Sequence, residues 1–166
     1  MAVPTRTPLG TSTLNRKWYL DVDTSATDTP TWTPVMGMTE FAFNVEPTLQ
    51  DDSDFDSEGF RSQVKTAEAW SVSLTVARKV TAASGTAYDT GQERLRDKSF
   101  GTMGVANSVK VRFYEMEEDG PREEAYQGLA AVSWSPNGGG MDATSTVGVT
   151  LTGQGRLTAI THPDTP

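Results

Sequence analysis

Apolar and polar residues alternate with a period of two along most of the chain. Trp18, Leu20 and Val22 alternate with Lys17, Tyr19 and Asp21, and Phe41, Phe43 and Val45 alternate with Glu40, Ala42 and Asn44. The same pattern sets Trp70, Val72, Leu74 and Val76 against Ser71, Ser73, Thr75 and Ala77, and Val109, Val111 and Phe113 against Lys110, Arg112 and Tyr114. Val147, Val149 and Leu151 alternate with Thr146, Gly148, Thr150 and Thr152. Successive side chains of a strand point to opposite faces, so this period marks half-buried antiparallel strands. Residues 125–134 (AYQGLAAVSW) have strand composition with a blurred alternation, and Leu157 to Thr161 form a short last run.

One segment departs from the pattern. Thr90-Gly91-Gln92-Glu93 reads as a capping box, with Leu95 as the apolar contact, and predicts a helix from about Gly91 to Ser99 that stops near Gly101. The expected fold is mainly β: a sandwich or barrel with one flanking α-helix, in a single domain over residues 16–161. Residues 1–15, rich in Thr, Pro and Ser, read as an N-terminal arm, and 162–166 as a C-terminal tail.

Two long connections interrupt the strands: Glu46 to Thr66, containing QDDSDFDSEGF, and Pro136 to Ala143, containing PNGGGMDA. A connection of some twenty residues inside a compact domain is usually functional. Six acids lie between Glu46 and Glu58, and only Phe55 and Phe60 offer apolar anchors. Such a segment buries too little to order itself, but it orders on a partner. Asp51, Asp52, Asp54, Phe55, Asp56, Glu58 and Phe60 are therefore expected to contact a neighbouring subunit.

Composition narrows the chemistry. The chain of 166 residues has no cysteine, which removes disulfides, thiolate metal sites and thiol nucleophiles. Its net charge is -8, from 22 acids and 14 bases, the wrong sign for holding nucleic acid through phosphates. No apolar stretch approaches membrane-spanning length, so no transmembrane helix and no membrane partner are expected. Met1 to Gly10 lack the apolar run of a signal peptide.

Catalytic material is sparse. The single histidine, His162, reads as a solvated tail residue, since a triad needs its histidine held in a cleft. The acids crowd one loop and do not face each other across a cleft. Asp52-x-Asp54-x-Asp56 begins like a calcium loop, but Ser57 stands where the turn glycine belongs and Gln63 where the bidentate Glu belongs. Gly153-Gln154-Gly155 reads as a bent strand end, because a dinucleotide fingerprint needs a further glycine and a following helix. Gly138 to Gly140 read as a hairpin tip. No catalytic residue, metal ligand or cofactor is assigned.

The weaker strand faces carry more information. Glu40, Asn44, Ser71, Ser73, Thr75, Thr146 and Thr150 are small, polar and neutral or acidic, where an ordinary solvent face would carry more Lys, Arg and Glu. A Thr-rich exposed sheet face accounts for part of this, since Thr is a good strand former. The functional reading is the lining of an aqueous pore.

An ordered set of motifs resembles the tail tube proteins of long-tailed, siphovirus-type bacteriophages. It comprises NRKWYLDVDT at 15–24, WTPVMGMTEF at 32–41, QDDSDFDSEGF at 50–60 and KTAEAWSVSLTVARK at 65–79. It continues with YDTGQERLRD at 88–97, VKVRFYE at 109–115, EAYQGLAAVSWSP at 124–136 and VTLTGQGRLTAITHP at 149–163. The resemblance implies a structural virion protein and no enzyme. Its long strands, here 38–46, 67–79, 124–135 and 144–155, would join those of five other copies into a ring-wide barrel. Rings would stack through the loop 46–66 and the chain arms into a conduit for phage DNA. It also implies further tail partners (tape measure, distal tail and terminator proteins), DNA passing without specific binding, assembly in the host bacterial cytoplasm, and residence in the virion tail. Four strands from each of six chains, at about 4.8 Å spacing and about 40° tilt, give a backbone diameter near 48 Å, which admits a duplex. The competing reading is a β-sandwich module that recognises carbohydrate or decorates a surface, with Trp32 and Trp134 stacking on sugars and calcium held by the acidic loop.

Overall fold

A computed structural model describes residues 8–83, 85–101 and 103–164. Residues 1–7 of the expected N-terminal arm and 165–166 of the expected tail lie outside the described residues. The described residues form eight strands and one α-helix: β1 (Trp18–Asp23), β2 (Trp32–Pro34), β3 (Met38–Asp51), β4 (Gln63–Ala77), α1 (Thr90–Ser99), β5 (Ser108–Glu115), β6 (Ala125–Pro136), β7 (Thr146–Gly153) and β8 (Thr158–Ala159). All pairings are antiparallel, in the order β2-β1-β5-β6-β7-β4-β3, with β8 added to β6. The mainly β class with a single α-helix, expected from the alternation, is the observed one.

The sheet curls so that its two ends face each other across one core. Trp18 of β1 stacks on Phe41 of β3 at 5.1 Å between centroids, and Phe113 of β5 meets Phe43 of β3 at 4.9 Å. Phe113 has no solvent exposure and also touches Trp70 and Tyr126, so it is the centre of the aromatic cluster. The inward residues of β4, β5 and β7 are those the period of two selects: Val72, Leu74 and Val76; Val109 and Val111; Val147, Val149 and Leu151.

Helix α1 packs against β6, β1, β2 and β5, with Leu95 fully buried. Its cap is not the expected one. Asp89 is the N-cap and its carboxylate accepts from the Gln92 N–H at 3.0 Å, while Thr90 is already the first helical residue. The same carboxylate accepts from Met36 N–H, which ties the helix start to the connection after β2. An Asp that serves two donors displaces the Thr one residue inward. Gly91 is required at its position: a Cβ there would stand 2.4 Å from the Pro34 carbonyl oxygen.

Three further expectations change. The long connection 46–66 is strand at both ends: β3 continues to Asp51 and β4 begins at Gln63, paired through Asp51↔Gln63 with an irregularity at Thr48/Leu49, and only 52–62 lie outside the strands. Polar composition hid these strand ends, because their side chains are exposed on both faces. Asp21, which alternates with the apolar residues of β1, is nonetheless buried because Arg112 covers it at 2.7 Å. His162 is no solvated tail residue. It is 6% exposed, its Nδ1 accepts from the Asp164 N–H at 3.2 Å, and its Nε2 therefore donates to the Glu115 carbonyl at 2.7 Å.

Candidate functional site: a polar sheet face and a projecting ribbon

Four strands, β6-β7-β4-β3, lie side by side, and they are the four expected to form the lumen wall. Their registers align the outward residues in three rows. One row is Ser135–Gly148–Thr75–Glu40, the next Ser133–Thr150–Ser73–Ala42, the third Ala131–Thr152–Ser71–Asn44. Among these twelve positions Glu40 is the only charged residue, and none is Lys or Arg. Its carboxylate accepts from the Thr75 hydroxyl at 2.8 Å, so a cross-strand pair fixes the one charge. Thr146 pairs with Ala77 and continues the same face. Trp70, Val72, Leu74 and Val76 are buried behind it.

The structure thus brings Glu40, Asn44, Ser71, Ser73, Thr75, Thr146 and Thr150 onto one surface. Ser133, Ser135 and Ala131 share it and were not singled out from the sequence. Their alternation with Val132 and Trp134 was the available signal. It is blurred upstream because Tyr126 to Leu129 are half-buried on both faces. Gly128 and Gly153 both lie against the Trp70 indole, where added Cβ atoms would stand 2.5 Å and 2.4 Å from ring atoms. Trp70 Nε1 donates to the Gly155 carbonyl at 2.9 Å, and Gly155 takes a φ of +86°, so the glycines around 153–155 seat an indole at the strand end.

β3 is the edge strand along its whole length, and β4 has β7 as second neighbour only from Ser71 onward. Residues 45–51 and 63–69 therefore project as a two-stranded ribbon, every one exposed. A lone two-stranded ribbon is marginal in water. Its tip closes through Asp52 N–H to the Ser62 carbonyl and through Ser62 N–H to Ser53 Oγ. Glu58 and Gly59 turn the chain with φ of 50° and 84°. The acids act locally: the Ser53 hydroxyl, and with it the Ser53 N–H, holds the Asp51 carboxyl below the usual range, and Asp54 accepts from Asp56 N–H. Phe55 and Phe60 cover nothing and stand in solvent, 108% and 80% exposed.

The aromatic residues of the competing sugar-binding reading are engaged internally. The Arg112 guanidinium lies 4.9 Å over Trp32 and that of Arg78 5.3 Å from Trp134. His162 bonds to backbone groups and meets the edge of Tyr114.

No protein-family model matches the chain, and no curated protein matches it. Solved structures do. The chain is similar to one in the tail of an empty gene transfer agent particle refined with helical and C6 symmetry, with TM-score 0.63 and 13% identity over 90% of this chain and all of that one. It is similar to a chain of the SPP1 tail tube, with TM-score 0.60 and 14% identity over 86% of this chain and 76% of that one. A chain of the anti-feeding prophage baseplate follows at TM-score 0.56 and 8% identity, over 93% and 99%. At such identities the likeness speaks to architecture alone: the chain has the fold of phage tail tube proteins.

Proposed function

We propose that the chain is the structural subunit of a phage tail tube, which polymerises into stacked six-membered rings around a channel for DNA. The observation that carries this reading is the polar face of β6, β7, β4 and β3: an extended sheet surface without a cation, backed by a complete core. An acidic protein gains nothing from that face as a nucleic-acid binding site, because phosphate contacts need Lys and Arg. As a lumen wall it does the reverse. Hydroxyls and one carboxylate per subunit give weak contacts along which a duplex slides.

The open edge of β3 supports the same reading. Fourteen residues of unpaired edge are an aggregation hazard in a free monomer. Ring closure removes the hazard by pairing the edge with the next copy. On the opposite side of the four-strand group, β6 has no strand neighbour beyond Ala131, since β5 ends its pairing there. Residues 132–136 are thus the strand segment that an incoming β3 edge would meet, beside helix α1, whose Ser99 hydroxyl already accepts from the Trp134 N–H at 3.1 Å. A subunit with two unlike lateral surfaces assembles head to tail and closes into a ring.

Negative-stain electron microscopy of the purified protein tests this. Rings or tubes with a central bore are expected at high protein concentration. A population that stays as small monomeric particles at every concentration and salt condition would exclude it.

A further inference from the structure

Strand β4 runs without a break from Gln63 to Ala77. At about 3.3 Å per residue its ends are roughly 50 Å apart. At one end sits the ribbon tip with its exposed Phe55 and Phe60. At the other end the chain passes directly into Arg78, Lys79 and Val80, where Val80 bridges to Tyr88 just before helix α1. Val80 and Tyr88 are 53% and 43% exposed, and Lys79 makes no ion pair among the described residues. Both ends of one strand therefore present exposed aromatic or apolar side chains, Tyr88 with one ring face under the Arg78 guanidinium at 3.7 Å.

The charges at these ends are opposite. Residues 46–66 carry six acids and two bases, whereas residues 78–89 carry two bases and one acid, with Arg78 paired to Glu93 and Lys79 in no ion pair among the described residues. A protomer cannot bring the two surfaces together, because the strand that joins them also separates them. A second copy placed end to end can bring them into contact.

We propose that the aromatic ribbon tip of one copy docks on the Lys79–Val80–Tyr88 surface of a copy in the next ring, with the acids around Phe55 facing Lys79. This inference rests on the tube reading and names the receiving surface for the stacking contact. Phe55 and Phe60 supply apolar anchors, and complementary charge sets polarity and rate of encounter. The tip of one end cannot dock on another tip, since like charges would meet. Stacking is therefore polar, and every ring faces the same way.

The absence of native cysteine allows a direct test. The full chain carrying both Phe55→Cys and Val80→Cys, assembled and then oxidised, is expected to give a ladder of covalent oligomers on a non-reducing gel. A mixture of the two single variants is expected to give mainly cross-linked pairs containing one of each. Tubes without a ladder, or Phe55→Cys cross-linking to itself, would overturn the inference and leave the tube reading intact. Failure of the unaltered chain to form rings or tubes would instead remove the tube reading and this inference with it. A second arm uses charge. Lys79→Glu should stop growth at short stacks, and adding Asp56→Lys should restore it. Unchanged tube length in Lys79→Glu would also overturn the proposal.

Discussion

The indole of Trp70 occupies the space that a side chain at Gly153 would need. A Cβ on Gly153 would stand 2.4 Å from the ring, inside any tolerable contact. Gly153→Ala is therefore expected to destabilise the subunit by about 1–3 kcal/mol through overpacking. Combined with Trp70→Leu, which itself opens a cavity, the same change should cost much less. Urea denaturation of the four proteins of this cycle measures the coupling. Additive costs would show that the indole moves aside freely.

The helix cap gives a second expectation. Asp89→Ala should cost about 1 kcal/mol, because it removes the acceptor for Gln92 N–H at the start of α1. Thr90→Ala should change stability by a few tenths at most, since Thr90 is inside the helix. Thermal denaturation of both variants decides between the two residues, and a larger loss at Thr90 would place the cap there.

Glu115 is buried, accepts from Lys17 at 2.6 Å, and also takes the backbone N–H groups of Glu123 and Glu124. Desolvation by itself would raise its pKa, but these hydrogen bonds outweigh it and hold the carboxyl below its ordinary 4.5. Its stabilisation is thus present above the unfolded carboxyl's pKa and is lost as pH falls through the lowered value. The Lys17 amine, raised above its ordinary 10.5 mainly by its hydrogen bond to Glu115, works at the other end. Its contribution is complete below the unfolded lysine pKa and is lost as pH rises through the raised value. Glu115→Gln should cost about 2–3 kcal/mol at neutral pH, through a broken buried pair, and should flatten the acid limb of the stability profile. An unchanged limb would assign acid sensitivity to other carboxylates.

Assembly and stability should separate at the ribbon. Phe55→Ala or Phe60→Ala should weaken polymerisation, more than Asp51→Ala, and leave urea midpoints within about 0.5 kcal/mol of the parent, as both rings are exposed. Removing residues 50–60 should leave a folded subunit without tubes. Normal tubes from the shortened chain would assign stacking to another surface.

The polar face makes a prediction about transport. Ser71→Lys with Ser73→Lys should permit tubes, because both positions lie on the face opposite the core. It should slow DNA release from particles and make that rate salt-dependent, since each added amine gains by pairing with phosphate and releasing counterions. Release at the parental rate would separate this face from the DNA path.

Much of this was legible in the residues. Strict alternation at 70–77, 109–114 and 147–152 located strands, core and the opposed face together, because one face of each is buried and the other is not. The ribbon was illegible as strand for the same reason inverted: Pro47 to Asp51 and Gln63 to Thr66 bury neither face, so no period is impressed on them. Asp21 and His162 were misread because their burial depends on Arg112 and on the Glu115 carbonyl, partners 91 and 47 positions away. Local pattern carries no record of such pairings.

The length of β4 has one more consequence. In a stack where this strand spans the wall, inclined at about 40°, its roughly 50 Å project to about 38 Å along the axis. The strand is then a ruler, and the axial repeat of the tube is encoded as a number of residues. Two residues deleted from β4 and the two facing them from β3 would shorten the repeat by about 5 Å per ring. Multiplied over a long tail, a change invisible in a single subunit would alter how many copies are needed to reach a given length.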